Sequence, residues 1–440
     1  MAEGRFAPGH LGELTQIVPF EMVDEILAET GTVQTRVRDL PSRVVVYLLL
    51  AAGLFAELGY PGVWQRLIAG LDGLAVATPT AAGLFQARRR VGVKPVRALF
   101  DLLRGPAAGI AGTGVYWYGL LVCAIDGTIM TCPDSAANLT VFTKQGGNHG
   151  GSGYPLIRLL ALVGCGTRTV IDAVFGPTTS GETTYTHQLL RSLRPGMIVL
   201  LDRNFAAQTL LTAIAGTHAK ILVRVKNGRK LPVLARYPDG SYLSTLGTLR
   251  VRVIRCEITI ATKAGRRTGL YQLLTTVTDQ HIPASAIIRL YHERWEIETC
   301  YLELKSTILG GRVLRARTPT GVTQEIYALL STYQILRLAM NDATSSQPGT
   351  DPDRASFTIA LHTARDLVIQ AAGVIADTVI DLLGTIGRHV LANLMPDRRV
   401  RTRPRVVKRA ISKYVAKATK IRGPSYKATI SIDILAPPEP

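Results

Sequence analysis

Between residues 115 and 216 the chain lays down short apolar runs and helical segments in a fixed order. The run VYWYGLLVCAID closes on Asp126, and LIRLLALVG (156–164) and TVIDAVFG (169–176) follow, each bounded by glycine or proline. GETTYTHQLLRSL (181–193) then has a helical pattern, MIVLLD (197–202) is another apolar run closing on Asp202, and FAAQTLLTAIAG (205–216) is helical again. Short runs that are apolar throughout read as buried strands. The order is three strands, helix, strand, helix, which predicts an α/β core.

The flanks differ in kind. Residues 11–105 read as helices: PFEMVDEILAETG ends at Gly31, and two apolar helices break near Tyr60-Pro61-Gly62. Thr80 stands as the N-cap of an alanine-rich helix. That helix ends in Arg88-Arg89-Arg90, which either complement its macrodipole or reach phosphates. Residues 219–278 are β-rich, with turns at Asn227-Gly228, Asp239-Gly240 and Ala264-Gly265. IPASAIIRLYHERWEIETCYLELKSTIL (282–309) reads as one long helix with Ser285 near its start and Gly310-Gly311 at its end. Helix continues through 322–341, a polar linker occupies 342–354, and a further helical segment covers 356–394. The expected division is a helical region over 11–110, a core over 115–340, and a C-terminal helical and basic segment over 355–427.

Charge narrows the partner. The 440 residues carry 51 Lys+Arg against 32 Asp+Glu, a net +19, in a chain that is 47% hydrophobic. A surplus of this size, with arginine runs, points to a polyanion. The tail RRVRTRPRVVKRAISKYVAKATKIRGPSYK (398–427) has no acidic residue and reads as a phosphate grip or as a solubilising extension. Five dispersed cysteines form no C-x-x-C pair, so structural zinc has no support and reduced thiols in a cytosol are expected. No signal-peptide pattern opens the chain, and the apolar stretch at 44–60, broken by Glu57, reads as a buried helix rather than a membrane span.

The sharpest stretch is YHERWEIETCYLELK (291–305), both highly charged and aromatic. On a helical wheel with Tyr291 at zero, Arg294 falls at about 300°, Glu298 at about 340° and Lys305 at about 320°. Glu293, Glu296 and Glu303 point elsewhere. Trp295 and Leu302 flank the arc on one side, and Ile297, Tyr301 and Leu304 on the other, as shoulders that anchor in protein. Charges among apolar groups need charged company. A purely structural ion-pair helix is the alternative reading of this spacing. Asp126 and Asp202 each follow an apolar run, where a sheet projects side chains into a crevice. Either one alone could simply start a turn. Three convergent carboxylates can hold two hard divalent cations, a pair suited to in-line displacement at a phosphodiester. His187 and His292 share no plausible ligand cluster, and the glycine-rich 144–153 lacks the phosphate-loop arrangement.

Tyr291, Arg294, Glu298 and Lys305 reproduce Y-(2)-R-(3)-E-(6)-K, and this spacing resembles the signature of the insertion element four family of transposases. AIDGT around Asp126, LLDRNF around Asp202 and the β-rich insertion before the helix are similar to that family, over about residues 11–340. The resemblance implies a ribonuclease-H-like catalytic core (β-β-β-α-β-α), interrupted by the insertion and preceded by an N-terminal helical domain. It implies Asp126, Asp202 and Glu298 as catalytic metal ligands for two Mg2+ or Mn2+ ions. Tyr291, Arg294, Lys305 and Arg203 are then implied DNA contacts. It also implies cleavage at transposon ends, transfer of the 3′-hydroxyl into target DNA, a homodimer bringing two ends together, and a cytoplasmic place of work at the bacterial nucleoid. Family members that form a DNA hairpin use a tryptophan in the insertion, and residues 219–278 contain none. A nuclease that cuts without joining, and an inactive copy that only binds DNA, are the alternative functions.

Overall fold

The computed structural model describes residues 9–36, 38–107, 114–145, 153–263, 265–372, 384–396, 401–402, 426–427 and 429–436. The basic tail lies almost wholly outside the described residues, as do most of the glycine-rich segment and part of the helical stretch 356–394.

Five helices come first: α1 (Phe20–Glu29), α2 (Ser42–Leu54), α3 (Tyr60–Ile68), α4 (Ala81–Val91) and α5 (Lys94–Leu103). Gly31, at φ +64°, follows α1, in the left-handed conformation that glycine adopts without strain. Thr80 caps α4, its hydroxyl accepting from the Gly83 N–H at 3.1 Å. The expected break at Tyr60-Pro61-Gly62 falls earlier, over 55–59. Tyr60 already opens α3, and Pro61 sits in its first turn, where a missing N–H costs nothing. The arginines ending α4 are partly tied inward: the Arg88 guanidinium stands 3.5 Å from the Tyr60 ring centre, and Arg90 donates to the Leu40 carbonyl.

The sheet follows as β1 (Tyr116–Trp117), β2 (Leu120–Thr131), a single-turn α6 (Ala136–Leu139), β3 (Leu156–Gly164), β4 (Val170–Pro177), α7 (Glu182–Leu189), β5 (Met197–Leu201), α8 (Gln208–Gly216) and β6 (Lys220–Val225). Its order is β4-β3-β2-β5-β6, antiparallel across β4, β3 and β2, and parallel across β2, β5 and β6. This is the expected ribonuclease-H-like arrangement. One correction concerns KILVRV, expected within the β-rich insertion. It is β6, a core strand parallel to β5, so the insertion begins after Val225.

The insertion comprises β7 (Ala235–Arg236), β8 (Tyr242–Leu246), β9 (Leu249–Thr262) and β10 (Gly265–Thr275). It prolongs the same sheet, because β10 pairs antiparallel with β6 through Gln272↔Val225 to Thr275↔Leu222.

Then come α9 (Ala284–Tyr291), α10 (Trp295–Leu302), α11 (Pro319–Ser345), α12 (Phe357–Ile369) and α13 (Gly384–Ala392). Two short strands, β11 (Arg401–Thr402) and β12 (Tyr426–Lys427), pair with each other. The last strand, β13 (Thr429–Ile434), lies antiparallel on β9. The linker expected over 342–354 is shorter, since α11 runs to Ser345 and Pro352–Arg354 form a 3-10 turn.

Side chains alternate between the two faces of the sheet. Leu160, Leu162, Val199 and Leu201 meet α7 and α8 through Leu189, Leu211 and Ile214. Val122, Ala124, Ala161 and Leu200 belong instead to a core shared with α10, α11 and the five N-terminal helices. Helix α11 is the spine of that core. Thr332 donates to the Leu50 carbonyl in α2 at 2.9 Å, and Arg315, just before α11, donates to the carbonyls of Ala52 and Leu58. The Gln334 amide joins both halves, accepting from the Val170 N–H of β4 at 2.8 Å and donating to the Leu103 carbonyl of α5 at 3.1 Å. All five cysteines are buried and none is in a disulfide. No helix among the described residues is long and apolar enough to cross a membrane.

Candidate active site

The stretch expected as one helix from 282 to 309 is continuous but not uniform. It starts at Ala284, after Pro283, with Ser285 near its start as expected. A 3-10 turn over His292–Arg294 separates α9 from α10, and a π turn over Glu303–Ile308 follows α10. The 3-10 turn overwinds the helix and the π turn underwinds it. The two departures are opposite in sense, and the signature side chains still reach one place, the middle of β2 and the end of β5. Gly310 and Gly311, at φ +58° and +72°, end the run as expected.

Asp126 does not end its strand. β2 continues to Thr131 because β3 pairs with it throughout, Asp126 lying opposite Ala161. The strand that stops is β5. Its parallel register with β2 runs from Leu121↔Met197 to Ala124↔Leu200. Two residues further on come Asp126 and Asp202, on strands spaced about 4.8 Å apart. Asp202 turns out of the sheet, and its Oδ1 accepts from the Asn204 N–H at 2.7 Å to cap a 3-10 turn. Among the described residues β2 has no strand neighbour on that side beyond Leu201, and this gap in the sheet forms a crevice.

Helix α10 closes over the crevice. Arg294 donates to Asp126 Oδ2 at 3.3 Å and to Glu298 Oε1 at 3.0 Å, one guanidinium between two carboxylates. Tyr291 donates to the Leu201 carbonyl at 3.2 Å, and Lys305 Nζ donates to Thr128 Oγ1 at 3.1 Å. Arg203 is exposed beside Asp202. Burial pushes the Asp126 carboxyl up to about 6; the Gly127 N–H and Arg294 oppose this, while the like charges of Asp202 and Glu298 add to it. Burial also pushes the Tyr291 phenol up to about 12, keeping it neutral.

Only one of the two apolar shoulders is anchored. Ile297, Tyr301 and Leu304 are buried, whereas Trp295 and Leu302 are 41% and 56% exposed. Two of the acids expected to point elsewhere, Glu296 and Glu303, meet partners inside the protein. Arg168, in the β3–β4 turn and 2% exposed, donates to Glu296 at 2.5 Å and also pairs with Glu303 and Asp353. Glu303 further accepts from Tyr333 at 3.0 Å and pairs with Arg337.

Two other neighbours carry no sequence motif. Glu182, in the first turn of α7, lies against Gly127: a Cβ built on that glycine would come within 2.6 Å of Glu182 Oε1. Burial raises the Glu182 carboxyl, and nearby Asp202 adds to the rise while Arg158 counters it. Tyr301 reaches the main chain of Asp126 itself, donating to its carbonyl at 2.6 Å. An acid at the start of a helix was the one available hint for Glu182. For Tyr301 there was none, because a buried aromatic on a helix shoulder reads as packing.

As the side chains stand, no three His, Cys, Asp or Glu among the described residues gather closely enough to hold a metal ion, and His187 and His292 join no such group. The donor set nevertheless suits a hard cation. Carboxylate oxygens are its preferred ligands, and those of Asp126 and Glu298 already converge on one positive charge.

A ribonuclease-H-like sheet with one acid inside a strand, a second just past the adjacent parallel strand and a third on a later helix has the form of the DDE transposase class. The family description "Insertion element 4 transposase N-terminal" matches residues 8–101, and "Transposase DDE domain" matches residues 117–335. The chain is 27% identical over 406 residues to "Transposase InsG for insertion sequence element IS4" of Escherichia coli (strain K12), covering 90% of this chain and 91% of that one. It is 28% identical over 204 residues to "Putative transposase InsZ" of the same organism, covering 45% of this chain and 65% of that one. A solved piggyBac transposase synaptic complex with hairpin DNA aligns at a TM-score of 0.43 and 12% identity, over 89% of this chain and 87% of that one. The chain belongs to the insertion element four family of DDE transposases. Enzymes of this class act on DNA and use divalent metal ions.

Proposed function

We propose that Asp126, Asp202 and Glu298 are the acids at which this transposase cuts transposon ends and joins the freed 3′-hydroxyl to target DNA. The observation that carries the reading is the arrangement around Arg294. Two of the three acids bind its guanidinium, and the third stands beyond the strand next to Asp126. The group the three acids would hold is a pair of Mg2+ or Mn2+ ions, which would supply activation of the attacking oxygen and stabilisation of the leaving one.

The chain's own share is positioning and charge. Tyr291, Arg294 and Lys305 line one face of the helix over the middle of β2 and the end of β5, where they would take the phosphates flanking the scissile bond, with Arg203 at the exposed margin. Arg294 exchanges carboxylate oxygens for phosphate oxygens of the same charge and geometry. The helices of residues 11–110 and the basic segment within 355–427 serve end recognition and nonspecific grip. Two chains form a homodimer when each holds a transposon end, at the bacterial nucleoid.

Glu298→Gln tests the reading. Cleavage of an end-containing duplex is expected to disappear while the gel-shift affinity for that duplex stays. Surviving cleavage, or loss of binding with it, would overturn the assignment.

A further inference from the structure

We infer that Tyr301 is a positioning residue that fixes the spacing between the strand bearing Asp126 and the helix bearing Glu298. The inference rests on the site reading above and adds a residue that reading does not contain.

The Tyr301 hydroxyl makes two hydrogen bonds, donating to the Asp126 carbonyl at 2.6 Å and accepting from the Ala161 N–H at 3.0 Å. Asp126 and Ala161 are cross-strand partners on β2 and β3. A side chain from a helix therefore inserts into the ladder at the one residue pair that contains Asp126. Residue 161 lies on the face toward α10, and as an alanine it leaves room for the ring. Tyr301 is 6% exposed, so its hydroxyl has no water to fall back on.

Tyr301 lies one helical turn after Glu298, so fixing Tyr301 fixes where the Glu298 carboxylate begins. Among the described residues, hydrogen bonds from Arg294, Tyr301 and Lys305 hold this part of the helix to β2 between residues 126 and 128. Arg294 to Asp126 and Lys305 to Thr128 join side chain to side chain, and both cations turn to phosphates when DNA binds. The Tyr301 contact goes to main chain, is enclosed by protein and is uncharged. It persists when the other two are drawn away. The ion network of Arg168 with Glu296 and Glu303 holds the opposite side of the helix, toward the β3–β4 turn and α11, and does not touch Asp126.

The test is Tyr301→Phe in the full chain bound to a pre-cut end duplex, with Mn2+ binding followed by electron paramagnetic resonance. The Mn2+ half-saturation concentration is expected to rise about tenfold, as when a residue supporting a metal ligand is lost. DNA affinity is expected to stay, and cleavage to recover partly at high Mn2+. A merely structural residue would lower the melting temperature without moving Mn2+ half-saturation, and that result overturns the proposal. Should the variant fail to fold, 3-fluorotyrosine at 301 keeps both the donor for the Asp126 carbonyl and the acceptor for the Ala161 N–H. Wild-type Mn2+ half-saturation is expected there, and a shift of about tenfold in a folded chain overturns the proposal equally. Asp126→Asn separates the two levels. If it binds Mn2+ like the wild type, the site reading itself fails. If it loses Mn2+ while Tyr301→Phe does not, only the role of Tyr301 fails.

Discussion

Arg294 donates to Glu298 across one turn of the helix that carries both, at 3.0 Å. Its other terminal nitrogen holds Asp126. On the proposed site reading a divalent cation would compete with this guanidinium for the same oxygens, and a phosphate that attracts the guanidinium would favour the cation. Metal and DNA should then bind cooperatively, each strengthening the other by the same factor.

Arg294→Gln removes the competitor. Mn2+ affinity of the DNA-free protein is expected to increase, by about fivefold or more on the usual scale of such couplings. End cleavage is expected to fall, because the phosphate contact goes with the arginine. Calorimetric Mn2+ titration with and without duplex reads the first effect and a cleavage gel the second. Weaker Mn2+ binding by the variant would contradict the competition.

The Asp126 carboxyl titrates at about 6 in the folded chain, against an ordinary value of 3.8. A folded-state value above the unfolded one means the folded chain holds the extra proton between those two pH values. The resulting stability is complete below pH 3.8 and is lost as pH rises through about 6. Ionising Asp126 therefore costs the metal-free fold on the order of 2–3 kcal/mol at pH 7. Asp126→Asn should be more stable than the wild type to urea at pH 7.5 in chelator, and should lose that advantage at pH 4. Equal stability at both pH values would contradict this.

Arg168 is enclosed among Glu296, Glu303 and Asp353. Removing one partner of a buried ion cluster leaves the others uncompensated, at a typical cost of about 3–5 kcal/mol. Arg168→Ala is expected to lose that much in urea unfolding, with the loss persisting in 0.5 M salt because the cluster is shielded from solvent ions. A loss below about 1 kcal/mol would show that the cluster relaxes or admits water.

Gly127→Ala would put a methyl group against the Glu182 carboxylate. The obstructing atoms are the end of a flexible side chain, so the fold is expected to survive with a loss of less than about 1 kcal/mol. Cleavage is expected to fall because the displaced acid lies near Asp202. Adding Glu182→Ala to Gly127→Ala should restore part of the cleavage if the clash is the cause. A double variant no better than Gly127→Ala would point to the Asp126 backbone instead.

Local pattern was enough for much of this. Strand β3 was legible to the residue because LIRLLALVG is apolar and glycine-bounded, and the wheel placed Arg294, Glu298 and Lys305 on the face that meets β2 and β5. The failures lie where distant chain decides. KILVRV has the same local pattern in a core or in an insertion, and only its parallel pairing with β5 makes it a core strand. Asp126-Gly127 reads as a turn until β3 pairs across it. Glu296 and Glu303 look solvated until Arg168, more than 120 residues earlier in the chain, is folded beneath them.

The amide of Gln334, bonded at once to β4 and to the end of α5, has a consequence for how such an enzyme can change. The helices that precede the sheet are not a detachable reading head. Their apolar faces complete the same interior as the catalytic helix, so trimming the chain near residue 105 would leave the cutting half with an exposed seam along α11. A working change to that front portion must come from surface substitution that leaves the shared interior intact, not from exchanging the portion for another.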